Sequence, residues 1–288
     1  MGAPFIISER TGPIEVIRLS RPDKLNALTR AMILDLSVHF KNIAQQSDLR
    51  AVIITGDGEK AFCAGTDIAE LTEVAERRED CEEENAAQDE DSGPGHDCAA
   101  AQREDAACEV SERGQALCNQ IENCGVPVIA SVNGIAAGGG CELALACHLR
   151  IASENARFSL PETKLALVPA YGATQRLARE IGNGRALEMM LTGKIVGAEE
   201  ALQFGLINRI APASELLAQA KDLAGEIAEL APLAIRACLE AVNKGSELPL
   251  AEGLALEAKL FAKLFATEDV REGTRAFLEK RKPVFTGK

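Results

Sequence analysis

A chain of 288 residues, 47% of them hydrophobic, holds enough material for one large core with a small appendage, so it is globular rather than disordered as a whole. No apolar run approaches the eighteen or so residues that a membrane span needs. Residues 1–10 lack the order of a secretory signal and the Arg-rich, acid-poor look of a transit segment. The net charge of −13 argues against a nucleic-acid partner, because phosphates require basic surface.

That charge is local. Residues 79–109 hold twelve acids and one base, Arg103, so the rest of the chain is near neutral. The nine cysteines are odd in number, scattered and without metal spacing, which favours free thiols in a reducing compartment, the cytoplasm.

In chain order, residues 5–7 and 14–19 read as strands around a Thr11-Gly12-Pro13 turn. Residues 21–28 form a polar loop. Thr29 is an N-cap candidate, after which Met32, Leu36, Phe40 and Ile43 recur at helical spacing. The β-branched run 51–55 is a buried strand. A helix starts near Asp67 and dissolves into the acidic stretch 79–109, whose first thirteen positions include eight acids, followed by Ser92-Gly93-Pro94-Gly95. Such a segment buries too little apolar surface to order itself and is expected to be a mobile insertion. Helical pattern resumes near Val110 and ends around Cys124-Gly125. Strands follow at 128–132, 149–152 and 156–159. Beyond Gly172 the pattern is helical, notably at 186–190, 198–204, 214–229 and 250–265, with Pro232 and Pro249 near boundaries. The alternation of strand and helix argues for βαβ-like units.

Between the last strands lies Gly138-Gly139-Gly140-Cys141-Glu142-Leu143-Ala144, then Leu160-Pro161-Glu162-Thr163-Lys164, then Pro169-Ala170-Tyr171-Gly172-Ala173-Thr174-Gln175. Two carboxylates, Glu142 and Glu162, stand in apolar surroundings, where an unpartnered charge is costly. Glycines at a helix start leave N–H groups free to meet an anion. The pattern points to an oxyanion site with two acid/base groups beside it.

This stretch resembles the signature of the enoyl-CoA hydratase/isomerase (crotonase) family, and Ala61-Phe62-Cys63-Ala64-Gly65-Thr66-Asp67-Ile68 resembles its other signature. The resemblance spans nearly the whole chain. It implies an α/β, crotonase-like spiral of ββα units over residues 1–200, carrying the insertion at about 79–109, and a C-terminal helical trimerisation region over 201–288. It implies a hydro-lyase that adds water to a trans-2-enoyl-CoA, with Glu142 and Glu162 catalytic and the N–H groups of Thr66 and Gly139 as the oxyanion hole. It places Lys24, Leu25, Ala27, Ala64, Gly65, Asp67, Ile68 and Ala170 along the substrate and its CoA, with Phe261 and Lys280 reaching a neighbour's CoA. Coenzyme A enters as part of the substrate, with no other cofactor and no metal. The partners it implies are the acyl-CoA thioester and further copies of the chain, in a homotrimer or a homohexamer built as a dimer of trimers.

The sequence departs from the family pattern in four places. The link between the signatures is longer, the excess being the acidic stretch. Tyr171, the only tyrosine, stands where the family has mostly glycines. His148 stands where an acid is common and is read as structural. Ala69 replaces a lysine often found near the adenine. Cys63 and Cys141 are read as small apolar filler rather than nucleophiles, lacking a base nearby. Rival readings are a double-bond isomerase, a methylglutaconyl-CoA hydratase, and a silent acyl-CoA-binding protein on the same fold.

Overall fold

The computed structural model describes residues 4–76 and 98–288. Two sheets carry the chain. The larger has six strands, β1 (Ile6–Thr11), β2 (Ile14–Leu19), β3 (Ala51–Gly56), β5 (Val128–Val132), β7 (Leu149–Ser153) and β10 (Arg209–Ala211), paired in that order. The smaller pairs β4 (Ala61–Cys63), β6 (Ile135–Ala137), β8 (Arg157–Ser159) and β9 (Val196–Gly197). Only the β1–β2 and β8–β9 pairs are antiparallel.

The connectivity is a repeating turn of one strand from each sheet and then helix. β3 and β4 lead to α2 (Ile68–Ala75) and α3 (Cys98–Glu122). β5 and β6 lead to α4 (Gly139–Ala146). β7 and β8 lead to α5 (Ala173–Ile181) and α6 (Asn183–Thr192). The units are therefore ββα, the spiral that the resemblance implies, rather than simple βαβ. β4 and β6 escaped the pattern reading because three residues are too few to show a period.

β3 is buried at all six positions, which is why it reads as a continuous apolar run. Its two faces serve two layers. Val52 and Ile54 point into the main core with Leu36 and Phe40 of α1 (Arg30–Ile43), whose N-cap Thr29 accepts from the Met32 N–H. Ile53, with Val16, Ile129 and Ile151, meets Leu216, Ala220, Leu223 and Ala224 of α8 (Leu216–Ala228). The apolar face of α8 is thus satisfied within the chain and is not spare surface, as residues 214–229 were expected to provide. Position 200 falls inside α7 (Ala198–Phe204), and the large sheet draws β10 from beyond it.

The spare apolar surface lies further on. In α9 (Pro232–Gly245) no residue is buried, and in α10 (Leu250–Leu264) only Leu260 is. α10 packs on α9, and with α11 (Glu268–Glu279) this region exposes Leu250, Leu254, Phe261, Phe265, Phe277 and Leu278.

α3 corrects the expectation for the acidic stretch. Residues 98–109 are helical and continue without a break into the helix expected from Val110. Ala99, Ala100, Ala101, Ala106 and Ala107 have high helix propensity, and Ala106 is buried while Glu109 points outward. The remainder of the insertion, residues 79–97, lies outside the described residues.

At the centre, α4 is buried along its whole length. Gly140 rides directly on the backbone of β4: a Cβ there would stand 2.1 Å from the Cys63 carbonyl oxygen.

Candidate active site

Glu142 lies in the first turn of α4 and is 2% exposed. Its charge is costly there, and burial raises its pKa. Two backbone donors hold the ionised form: Oε1 accepts from the N–H of Tyr171 at 2.8 Å and of Ala173 at 2.9 Å. Hydrogen bonds to a charged group are worth about 1.5–3 kcal/mol each, and the N-terminal end of the helix adds favourable potential. The other end of α4 is capped by buried Arg150, which donates to the carbonyls of Ala144, Leu145 and Cys147 and pairs with Glu180 at 2.9 Å. Both ends of the helix that carries Glu142 are therefore fixed.

The strand β8 ends at Ser159, and a 3-10 turn (Glu162–Leu165) follows Pro161. The turn is tied down when Thr163 donates to the Met190 carbonyl and Lys164 to that of Gly193. This delivers Glu162 to Gly138: a Cβ on Gly138 would stand 3.0 Å from Glu162 Oε1. Oε2 of Glu162 is buried without a hydrogen-bond partner among the described residues, the state of a group kept free for a ligand. Burial, and secondarily the Glu142 charge, pushes the Glu162 carboxyl up to about 7. Burial raises both carboxyls, but two N–H bonds oppose it at Glu142 and no partner does so at the free oxygen of Glu162, an asymmetry that suits paired acid and base roles.

Thr66 and Gly139, the expected donors, lie side by side. Leu28 donates to the Gly65 carbonyl at 2.8 Å and accepts from the Asp67 N–H at 2.9 Å. Those flanking groups face Leu28, so in extended chain the Thr66 N–H faces the opposite way. Gly139 is the first residue of α4 and its N–H is one of the helix's unpaired donors. The two positions adjoin, since a Cβ on Gly65 would stand 3.6 Å from the Gly139 nitrogen. Gly65 at φ 109° and Gly138 at φ 49° adopt backbone conformations that suit glycine.

The loop 170–176 closes the site. The Ala170 carbonyl accepts from Ser111 Oγ and Gln115 Nε2 of α3, each at 2.9 Å. The Tyr171 carbonyl accepts from Arg176, which also binds Glu122 and Asn119 of α3. The Ala170 carbonyl shares its peptide with the Tyr171 N–H, so the Ser111 and Gln115 bonds orient one of the two donors that hold Glu142. Tyr171 itself is 3% exposed, its hydroxyl accepting from Thr66 Oγ1 at 3.0 Å.

The structure brings Glu142, Glu162, Thr66, Gly139 and Ala170 together around Gly138. Leu25 and Ala27 lie on the loop beside Ala64 and Gly65: the Ala64 N–H donates to the Leu25 carbonyl, and Arg21 joins the Ala27 carbonyl to Asp67. Lys24 ends the short 3-10 turn (Pro22–Lys24) and is exposed. The Asp67 side chain is taken up as the N-cap of α2 and in the Arg21 pair, and its backbone bonds Leu28 and Leu71. Ile68 is exposed on α2. Phe261 and Lys280 stand on the outer helices, Phe261 exposed with its ring tilted against that of Phe265, and Lys280 at the C-cap of α11.

The sequence reading missed Ser111, Gly114, Gln115 and Arg176, which act from α3 and α5 on loop 170–176 and carry no local signal. Nor did it foresee that the N–H groups of Tyr171 and Ala173 donate to Glu142. His148 is structural: Nδ1 accepts from the Val128 N–H and Nε2 donates to the Glu122 carbonyl. Cys63 and Cys141 are buried, and burial pushes both thiols up, Cys63 to about 12, away from thiolate chemistry. Among the described residues no cluster suited to a metal ion occurs, and no helix is long and apolar enough to cross a membrane.

Comparison with known proteins agrees with this geometry. The family model for enoyl-CoA hydratase/isomerase matches residues 9–91 and 93–288. A short-chain-enoyl-CoA hydratase of Clostridium acetobutylicum is 37% identical over 96% of this chain and 95% of its own length. A crotonyl-CoA hydratase of Syntrophomonas wolfei is 36% identical over 98% of each. The crystal structure of an enoyl-CoA hydratase from Bacillus anthracis superposes with a TM-score of 0.86 at 36% identity, covering 99% of this chain and all of the other. By fold, by both signatures and by these full-length similarities, the chain belongs to the enoyl-CoA hydratase/isomerase family.

Proposed function

We propose that this chain is an enoyl-CoA hydratase, a hydro-lyase that converts a trans-2-enoyl-CoA into a 3-hydroxyacyl-CoA in acyl-CoA breakdown. The observation that carries the reading is the pair of carboxyl groups, Glu142 anchored by two N–H groups and Glu162 beside Gly138 with a free buried oxygen, close enough for the first to raise the pKa of the second. In the proposed step, Glu142 accepts a proton from water as the water oxygen bonds to the β-carbon. The double-bond electrons move toward the thioester oxygen, where the N–H groups of Thr66 and Gly139 meet the developing charge. Glu162 then gives its proton to the α-carbon. Each oxyanion donor is worth about 3–4 kcal/mol in such sites. Isomerisation would need one acid/base group, so the pair favours hydration.

Coenzyme A enters as part of the substrate, lying along Lys24, Leu25, Ala27 and the backbone of 64–68. Phe261 and Lys280 serve the neighbouring subunit of a homotrimer or a homohexamer in the cytoplasm. The exposed apolar side chains of α9 to α11 support the assembly. The test is a spectrophotometric assay of purified protein over a panel of enoyl-CoA thioesters, straight and branched. Hydration of none of them would overturn the proposal.

A further inference from the structure

The Tyr171 ring lies against three elements at once. It packs on α3 at Gly114, where a Cβ would stand 2.0 Å from Tyr171 Cδ1. Its other edge covers Gly139, where a Cβ would stand 3.0 Å from Cε2 and 3.1 Å from Cδ2. Its hydroxyl meets Thr66 Oγ1. The ring therefore touches both residues whose N–H groups form the oxyanion site. Beyond it lies a cavity of about 370 Å³ in which Leu71, Val74 and Val110 stand with the charged Arg30, Glu70, Glu73, Glu109 and Arg113, and with Tyr171 itself as one wall. The ring is a partition between the oxyanion donors and this space.

On the proposed hydratase reading, the thioester carbonyl must sit at those donors, and the α- and β-carbons between Glu142 and Glu162. Only carbons beyond the β-carbon extend further, and the ring meets them at once. A second, apolar cavity of about 890 Å³ lies between α2, α3 and residues 165–170. Its lining includes Ala170, next in sequence to Tyr171, but neither Thr66, Tyr171 nor either carboxylate.

We infer that Tyr171 is the specificity-determining residue of this enzyme, the end wall that restricts it to short enoyl thioesters of crotonyl length. Gly114 makes the wall possible, since any side chain there would displace the ring. Removing the ring would join the reaction chamber to the cavity behind it.

The inference rests on the proposed acyl-CoA site but is tested apart from turnover, by calorimetric binding of saturated acyl-CoAs from butyryl to dodecanoyl, with free CoA as reference. Each CH₂ that enters an apolar pocket tightens binding about fourfold. Wild type should show its gain over CoA at butyryl and no further gain with length. Tyr171→Ala should gain at least tenfold for octanoyl- over butyryl-CoA. Tyr171→Phe, which keeps the ring, should retain the wild-type profile. Tyr171→Leu, a milder truncation, should shift the preference in the same direction as alanine and stands in for it if that variant does not fold. Wild-type affinity that climbs steadily to dodecanoyl-CoA, or an alanine or leucine profile parallel to wild type, overturns the wall. If wild type obeys the length limit but hydrates no enoyl-CoA, the wall stands and the hydratase reading falls. If wild type binds acyl-CoAs no better than CoA, both fall.

Discussion

The N–H of Ala173 lies 2.9 Å from Oε1 of Glu142, across thirty-one positions of sequence. That bond, with its twin from Tyr171, opposes the rise in pKa that burial imposes on an acid of a fully buried helix. Glu142→Gln and Glu162→Gln keep these shapes and remove the proton chemistry. Each should lower kcat for hydration by about 10²–10⁴-fold, the usual contribution of a positioned acid or base, while CoA affinity stays near wild type. Near-normal turnover by both variants would contradict the assigned roles.

The raised pKa of Glu162 makes a signed prediction about pH. Its folded value, about 7, lies above the ordinary 4.5, so the native state holds this proton more tightly than the unfolded chain. The stability this contributes is complete below about pH 4.5 and is lost as pH rises through 7. Glu162→Gln cannot ionise and should escape the loss. Discounting the shift for partial solvent screening, its stability relative to wild type should improve by about 1–2 kcal/mol between pH 4.5 and 8. Urea unfolding of both proteins at the two pH values is the check. A constant difference would mean that Glu162 titrates normally.

Ser111 and Gln115 hold the Ala170 carbonyl and touch neither carboxylate. The double variant Ser111→Ala, Gln115→Ala should cost about 1–3 kcal/mol of stability. Because it loosens the peptide that orients the Tyr171 N–H, kcat should fall several-fold with little change in KM. A change confined to stability would limit these side chains to a structural part.

The exposed apolar face of α9 to α11 predicts a trimer or hexamer by light scattering at micromolar concentration. Charging the face through Leu254→Glu and Phe261→Glu should yield monomers with weakened CoA binding. A wild-type monomer would remove the proposed contribution of Phe261 and Lys280.

Deletions divide the acidic stretch at Cys98. Replacing residues 81–95 with a short Gly/Ser bridge should leave the melting temperature and kcat/KM for crotonyl-CoA nearly unchanged. Extending the deletion through Asp105 removes the first two turns of α3, and with them Ala100, Arg103 and Glu104 from the wall of the larger cavity. That variant should melt several degrees lower. Equal effects of the two deletions would show that the helix start has no structural weight.

What was legible in the sequence was whatever is local. Thr29 announces a helix by a single side-chain bond, and β3 announces burial by its unbroken apolar run. The glutamates declare themselves because a charge amid glycine and leucine needs a reason. What was hidden is made at a distance. Charge density concealed that residues 98–109 begin α3, because acids on the outer face of a helix look the same as acids in a coil. The seat of Tyr171 was invisible because it is shaped by a missing atom on Gly114, fifty-seven positions earlier in the numbering. Nothing near Gly114 in the sequence says what will lie against it.

Contact between Gly140 and the Cys63 carbonyl leaves no side chain between the two segments that end in the oxyanion donors. The spacing of Thr66 and Gly139 is thereby set by peptide against peptide, with no rotamer to absorb an error. Substitution cannot tune it gradually. In a complete mutational library screened for growth on an enoyl-CoA precursor, position 140 should be an empty column, with even alanine absent, while tolerance returns at exposed positions of α9. The enzyme can diversify its substrate range through the walls of the chamber, but the gauge of its electrostatic centre is a fixed dimension of the fold.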